Sequence, residues 1–407
     1  MNIALCAPTD IHTLARASGR SCESVAPGFG STVTTPLILE LLRRGHELTV
    51  YTLCKTLAAE QIYHWGQLRI VVGPARQRHL ARNIYRPEID YLKRVIRRDA
   101  PRFVHAHWTY EFALGAIRSG VPTVTTIHDL PWHVLMHFRD PHRFVRLLMA
   151  YEVAWRGEHF TAVSSDAASH FRRYFRPKAN IKVISNGLPD SFFQMDEQAS
   201  RRSGHTIMFA TILQGWSRLK NAKTALKAFS LMRRQFPDAR LTMFGLDYEQ
   251  DGPAQQWAIQ NDLDASVTFQ GNLPYMELMN RVKNEIDVVV HPSLGESFSM
   301  TALEAMALKK PVIAGRRATG VSEVLGFGNN GILVDVTDPE ATANGMLRVA
   351  KGKEFRDRVA QSGFDRAWSH YRLAAVAGQY EALYSSILQP RPAKIDGVHS
   401  TTEVLFK

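Results

Sequence analysis

Apolar residues fall into short unbroken runs, and most runs are followed by a stretch in which apolar positions recur every three or four residues. In the first half the runs are 2–8, 47–52, 69–73, 103–107, 123–128, 160–164 and 182–187. In the second they are 206–211, 240–245, 267–271, 287–292, 311–315 and 331–335. The stretches between them, such as TTPLILELLRRG (34–45) and AKTALKAFSLMRRQF (222–236), carry an apolar stripe and a polar face, as amphipathic helices do. A strand that is apolar on both faces has to be covered on both faces. Alternation with helices therefore predicts parallel sheets enclosed by helical layers. The pattern occurs twice in succession, which predicts an α/β protein with two doubly wound, Rossmann-like domains facing a central cleft.

The expected boundaries are an N-terminal domain over 1–187, a polar linker over 188–205, and a C-terminal domain over 206–368. The periodic stretch 363–388 reads as one long helix, and its part beyond 369, up to 390, is expected to pack back on the N-terminal domain. The tail 391–407 has no periodicity and is expected to be mobile. A length of 407 residues fits two cores better than one.

Composition adds two points. The chain is 45% hydrophobic and 22% charged, ordinary for a folded soluble protein, and no apolar run approaches the ~18 residues of a membrane span. MNIALCAP lacks the basic flank of a signal peptide and reads as a buried first strand. Cys6, Cys22 and Cys54 have no paired spacing and read as reduced thiols of a cytoplasmic protein. Charge is more informative. Residues 1–186 carry 25 basic and 14 acidic residues, whereas the remainder carries 25 and 24. The excess is densest over 69–102, with ten basic residues against three acidic. Such a face would attract an anionic membrane, nucleic acid or an acidic substrate, or else it is simply solvated.

The residues with chemistry lie where open α/β sheets bind ligands, just beyond strand ends. PGFGSTVTT (27–35) places Gly28 and Gly30 before a helix, where a backbone could approach an anion. HAHW and TIHD put His107, His128 and Asp129 at strand ends, where they could face the cleft; the alternative for each histidine is a turn residue satisfied by backbone. A zinc site is discounted because no cysteine has ligand spacing and because His105 and His107 are assigned to opposite faces of their strand. Arg218 and Lys220 precede the 222–236 helix and would suit a departing diphosphate. The Asp-Leu-Asp at 262–264 has the form of a metal-binding motif but reads as a surface loop.

GESFSMTALEAM (295–306) holds two glutamates eight positions apart. If a helix starts near Thr301, Glu296 lies in a loop and Glu304 in the first turn, and both can look into one cleft. Thr301 and Glu304 also form a capping box, with Glu304 reaching back to the Thr301 N–H.

Taken in order, these segments resemble the family 4 retaining glycosyltransferases of GT-B architecture, over the chain up to about 388. HPSLGESFSMTALEAMALKKPVIAG (291–315) is similar to that family's E-x7-E segment. ATGVSEVL (318–325), NGILVD (330–335), WSRLKNAKTALKAF (216–229), AVSS (162–165) and ISNGLPD (184–190) stand in the family's order. The family often has glycine where this chain has Ser297, Ser299 and Lys309, and a wider spacing than that of Arg218 and Lys220.

The resemblance implies transfer of a sugar from a UDP- or GDP-linked donor to an acceptor hydroxyl with retention, without a metal or other cofactor. It implies that Glu304 holds the donor ribose, with Gly245 and Leu273 also on the donor side, while Glu296 meets the transferred sugar. Arg218 and Lys220 would neutralise the diphosphate, and the N–H groups at Ser299, Met300 and Thr301 would support it. His128 would approach the reaction centre, with Gly28, Gly30, His107 and Asp129 lining the cleft floor. Together with the charge it suggests a lipid-linked or polysaccharide acceptor in cell-surface glycan synthesis, and a peripheral enzyme on the inner face of an anionic membrane. Two alternatives stay open: a non-hydrolysing nucleotide-sugar epimerase and a basic nucleic-acid-binding protein. The second is disfavoured because Tyr85 and Tyr91 are the only aromatics in 69–102.

Overall fold

Every apolar run read as a strand forms one. The computed structural model describes residues 1–78, 80–195 and 206–388. The strands are β1 (Asn2–Cys6), β2 (Glu47–Cys54), β3 (Gln61–Trp65), β4 (Leu68–Pro74), β5 (Val104–His107), β6 (Thr123–Ile127), β7 (His159–Ala162) and β8 (Ile181–Val183). They continue with β9 (Met208–Ile212), β10 (Arg240–Phe244), β11 (Val267–Gly271), β12 (Val288–His291), β13 (Val312–Gly315) and β14 (Ile332–Val334). The first sheet runs β3-β4-β2-β1-β5-β6-β7-β8 and the second β11-β10-β9-β12-β13-β14. All neighbours are parallel except β3 and β4. β3 has no apolar run because only one of its faces packs on the core, through Tyr63 and Trp65, while Ile62 and His64 are exposed.

Burial explains the parallel order. Ile3 and Leu5 of β1 pack with Leu37, Ile38 and Leu41 on one side. Ala4 and Cys6 pack with Ile89, Leu92 and Ile96 on the other. The second sheet divides in the same way: Phe209, Val288 and Val290 lie in one cluster, and Ala210 and Val289 in the other. Each large apolar side chain so buried contributes about 1.5–3 kcal/mol. Strand order reverses between β1 and β5 and again between β9 and β12, and these switch points open crevices at the strand ends.

The C-terminal helical stretch is two helices, Lys353–Tyr371 and Leu373–Leu388, rather than one. Arg372 between them is extended (φ −65°, ψ 133°). This lets Leu188 N–H donate to Tyr371 O at 2.9 Å and accept from Leu373 N–H at 2.8 Å, while Arg372 pairs with Asp190. Two crossing strand-like bonds are incompatible with a continuous helix. The last helix lies on the helix Thr34–Arg43. Glu381 pairs with Arg44 and His46, and the Tyr384 hydroxyl is 2.6 Å from His105 Nδ1. The 196–205 portion of the linker and the tail from 389 lie outside the described residues.

The basic stretch 69–102 is less bare than its composition implies. Arg69 pairs with Asp99 at 2.6 Å, Arg76 with Glu88 at 2.8 Å, and Arg98 with both Glu60 and Asp99 at 2.8 and 2.9 Å. Arg86 lies 3.5 Å from Asp90. These pairs reduce the outward field of the stretch.

Candidate active site

At the β9–β12 switch point lies a cavity of about 240 Å³. Its wall includes Lys220 from the loop after β9 and His291, Glu296 and Ser299 from the end of β12 and the loop beyond it. Met300, Thr301 and Glu304 follow from the helix Met300–Ala307, with Tyr275 from the helix Tyr275–Glu285. Thr32 of the loop that carries Gly28 and Gly30 closes it from the N-terminal domain.

Glu296 is held at several points. Its Oε1 accepts from Lys220 Nζ at 2.8 Å and lies 3.2 Å from His291 Nε2. Burial would raise the carboxyl, but the Lys220 ammonium and His291 pull it well below the ordinary carboxylate range. Its carbonyl accepts from Gly320 N–H at 3.2 Å, and a Cβ at Gly320 would meet that carbonyl at 2.2 Å. A Cβ at Gly295 would lie 2.0 Å from Cε1 of His133. The loop is therefore pinned from below by its own domain and from above by the helix Pro131–Phe138 of the other.

Glu304 is in a different environment. It is 6% exposed, and Oε1 accepts from the Tyr275 hydroxyl at 2.8 Å. Burial raises its carboxyl to about 7, with the Tyr275 hydrogen bond opposing the rise. The capping box is not formed. The helix is capped by Ser299, whose hydroxyl accepts from Ala302 N–H at 3.2 Å, so Glu304 sits in the second turn with its carboxyl free for the cavity. Both Ser299 and Thr301 are good cap residues, and the chain leaves β12 early enough to use the first. Ser299→Ala should therefore lower stability by about 1 kcal/mol, whereas Thr301→Ala should change it by only a few tenths. Denaturant melts of the two variants decide between the caps. Lys309, just past this helix, has φ 55°, which accounts for the glycine common there in the resembling family.

Other expected site residues fall elsewhere. Arg218 is exposed and does not line the cavity; it points outward from a loop in which Leu219 is buried and Lys220 turns inward. His128 and His107 are buried, with His128 Nε2 2.9 Å from His107 Nδ1, and Trp108 stacks on His128 at 4.2 Å. Burial holds both imidazoles neutral: His107 falls to about 3, and His128 is lowered by burial and by His107. His105 and His107 do not face opposite ways. Residues two apart on a strand share a face, and their rings are 4.1 Å apart. Asp129 lines a separate cleft with Tyr110, Arg143 and Arg146.

Gly245 follows β10 directly with φ 117°, and a Cβ there would lie 1.7 Å from Leu213 O; it shapes the loop leading to Lys220 and does not line the cavity. Leu273 packs against the core. Gly28 (φ 74°) sits where a Cβ would lie 2.3 Å from Thr9 O, whereas Gly30 opens onto free space. Tyr275, His291 and His133 are the residues that sequence reasoning missed. His291 alone left a trace, as the last residue of an apolar strand followed by a turn.

The order of these short segments also has a spatial reason. The Ser164 hydroxyl donates to Ser297 O, and Ser165 binds the Glu323 carboxylate through its N–H (2.8 Å) and hydroxyl (2.6 Å). AVSS thus joins the first domain to both the Glu296 loop and the ATGVSEVL segment.

Residues 30–192 match the family model Glycosyltransferase Family 4, and residues 207–366 match the model Glycosyl transferases group 1. The chain is a glycosyltransferase of this family. N-acetyl-alpha-D-glucosaminyl L-malate synthase of Bacillus anthracis is 22% identical over 392 residues, spanning 91% of this chain and 97% of that protein. D-inositol 3-phosphate glycosyltransferase of a Nocardioides strain is 25% identical over 301 residues, spanning 66% and 64%. Sucrose-phosphate synthase from Thermosynechococcus elongatus has the same fold, with a TM-score of 0.74 at 18% identity, covering 95% of this chain and 99% of that one. HepE of Anabaena, solved with UDP, aligns at TM-score 0.64 and 18% identity, covering 95% and 100%. The glycosyltransferase has the two-domain GT-B fold. Both matched models are of transferases, so the epimerase and nucleic-acid alternatives give way. No helix among the described residues is long and apolar enough to cross a membrane.

Proposed function

We propose that this glycosyltransferase moves a sugar from a nucleotide-sugar, UDP- or GDP-linked, to an acceptor hydroxyl with retention of configuration. One observation carries the reading: a single cavity holds two carboxyls kept in different states, Glu296 as an anion by Lys220 and His291, and Glu304 near neutrality by burial. Glu304 takes the ribose hydroxyls in this scheme. Glu296 lies where positive charge develops on the sugar ring as the bond from C1 to the diphosphate breaks. Lys220 shifts from Glu296 toward the diphosphate and offsets its growing charge. The acceptor oxygen bonds to C1 on the same face, and its proton passes to the leaving phosphate. HepE, of the same fold, has been solved with UDP and with UDP-glucose, which supports a donor of this class.

The acceptor in this reading is a lipid-linked or polymeric glycan entering from the N-terminal side. A second reading is a small anionic acceptor. It is supported by the cleft that carries Asp129, where Arg146 lies 4.3 Å over the Tyr110 ring and its buried Nε has no partner among the described residues. L-malate and inositol 3-phosphate, in the names of the two relatives, are anions of that kind.

A melting-temperature panel of nucleotide-sugars tests the donor. The right one, at about 100 times its Kd, stabilises by ~2.7 kcal/mol. Mass spectrometry of products from that donor with each acceptor class then separates the two readings. If no nucleotide-sugar shifts the melt, the donor assignment fails.

A further inference from the structure

We propose that the ridge formed by the helices Pro131–Phe138 and Pro141–Arg156 docks on an anionic lipid surface. A surface helix ordinarily keeps one apolar face, turned to the core. Pro141–Arg156 has two. Leu147, Met149, Ala150, Val153 and Ala154 are buried. Phe144, Leu148, Tyr151 and Trp155 are exposed, at spacings of four, three and four, and so form a single outward stripe. Trp155 is 76% exposed, and Met136 on the preceding helix is 57% exposed.

The patch is continuous. Trp132 Nε1 donates to the Tyr151 hydroxyl at 3.0 Å, Trp132 lies 6.2 Å from Tyr174, and Tyr151 lies 4.7 Å from Phe175. Isolated surface apolar residues need no explanation, but a contiguous patch of this kind marks an interaction site.

Charge identifies the occupant. Three exposed rings each carry an arginine: Arg143 over Phe138 at 5.2 Å, Arg156 over Trp155 at 5.0 Å and Arg173 over Tyr174 at 5.3 Å. Arg139 is exposed at the turn between the two helices. Residues 131–178 hold eight basic and four acidic residues. The acids Asp140 and Glu152 face Arg143 and Arg156 respectively, Glu152 also pairs with Arg118, Asp166 lies near His133, and Glu158 follows the stripe in sequence. Aromatic rings with guanidinium groups at their rim match the interfacial zone of a bilayer, where rings sit at headgroup depth and cations meet phosphate. The helix Pro131–Phe138 also bears His133, which meets Gly295 in the cleft. Docking through this ridge would therefore bring the mouth of the cleft to the membrane. That consequence rests on the transferase reading; the docking itself does not.

The test is co-sedimentation of the full chain with phosphatidylcholine vesicles, with and without phosphatidylglycerol. Wild type should bind the anionic vesicles, lose binding as salt rises, and show a blue shift of tryptophan emission. The triple variant Phe144→Ser/Leu148→Ser/Trp155→Ser should bind at least about tenfold more weakly. Arg139→Glu/Arg173→Glu should lose the preference for anionic vesicles. Both variants should keep the wild-type nucleotide-sugar melting shift, which separates loss of the surface from loss of the fold. Equal sedimentation of wild type and triple variant overturns the proposal. So does a wild-type oligomer that the triple variant dissolves without any vesicle binding, since a second copy would then cover the ridge. Absence of a nucleotide-sugar shift with vesicle binding intact would sink the donor reading and leave this one standing.

Discussion

Glu296→Gln is expected to lower sugar transfer by about 10²–10³-fold, with the loss in kcat and little change in KM for the donor. Glutamine keeps the shape and can still accept from Lys220, so the loop geometry held by Gly320 and His133 should survive. What disappears is a fixed negative charge. Lys220 and His291 keep Glu296 ionised well below neutral pH, so this charge is in place before the donor arrives and requires no proton movement during reaction. A preorganised charge of this kind acts on the transition state more than on the ground state. The loss should also be constant across pH 6–9, because the wild-type group does not titrate there. A loss of less than tenfold, or a loss confined to KM, would place Glu296 in donor binding alone.

Glu304→Gln should remove a pH dependence instead. Burial raises the folded carboxyl to about 7, above the 4.5 usual for a glutamate. Between those values the folded protein holds a proton that the unfolded chain has released. Stability therefore falls as pH rises from 4.5 to 7, by on the order of 3 kcal/mol, and is level above 7. The glutamine variant should lack this slope and be the more stable protein at pH 8. Donor binding runs the other way, since an ionised carboxylate accepts both ribose hydroxyls. Wild-type donor affinity should rise by up to about tenfold per pH unit below 7, with proton release visible by calorimetry in buffers of different ionisation enthalpy. The variant should bind weakly at every pH. Parallel stability profiles for the two proteins would show that Glu304 is already ionised when buried.

Both predictions turn on a distinction that the linear sequence did not contain. Glu296 and Glu304 were visible as a pair at a fixed spacing, and the helix after them was visible from its apolar period. Which residue capped that helix was not visible. Ser299 and Thr301 are equally suited by type, and the choice depends on where the loop leaves β12 under the constraints of Gly320 and His133. The difference in protonation was also hidden, because it comes from Lys220, 76 residues before Glu296, and from the burial of Glu304, which only the packing of the fold sets.

The sequence by itself determined the α/β class, the doubling of the domain and the position of each buried parallel strand. Burial on both faces writes itself into the chain as an unbroken apolar run. β3, with one face on the core and the other exposed, leaves no such run, and Arg372 divides the last helix through a backbone pairing with Leu188 that no local pattern announces. Charge followed the same rule. The total and its bias to the first half were plain from composition, but the pairing of Arg69, Arg76 and Arg98, and the placing of Arg143, Arg156 and Arg173 over exposed rings, needed the fold. Only tertiary structure decided which charges meet, because sheet order brings β9 beside β12 across the 75 residues between them, and an electrostatic environment is set by neighbours in space.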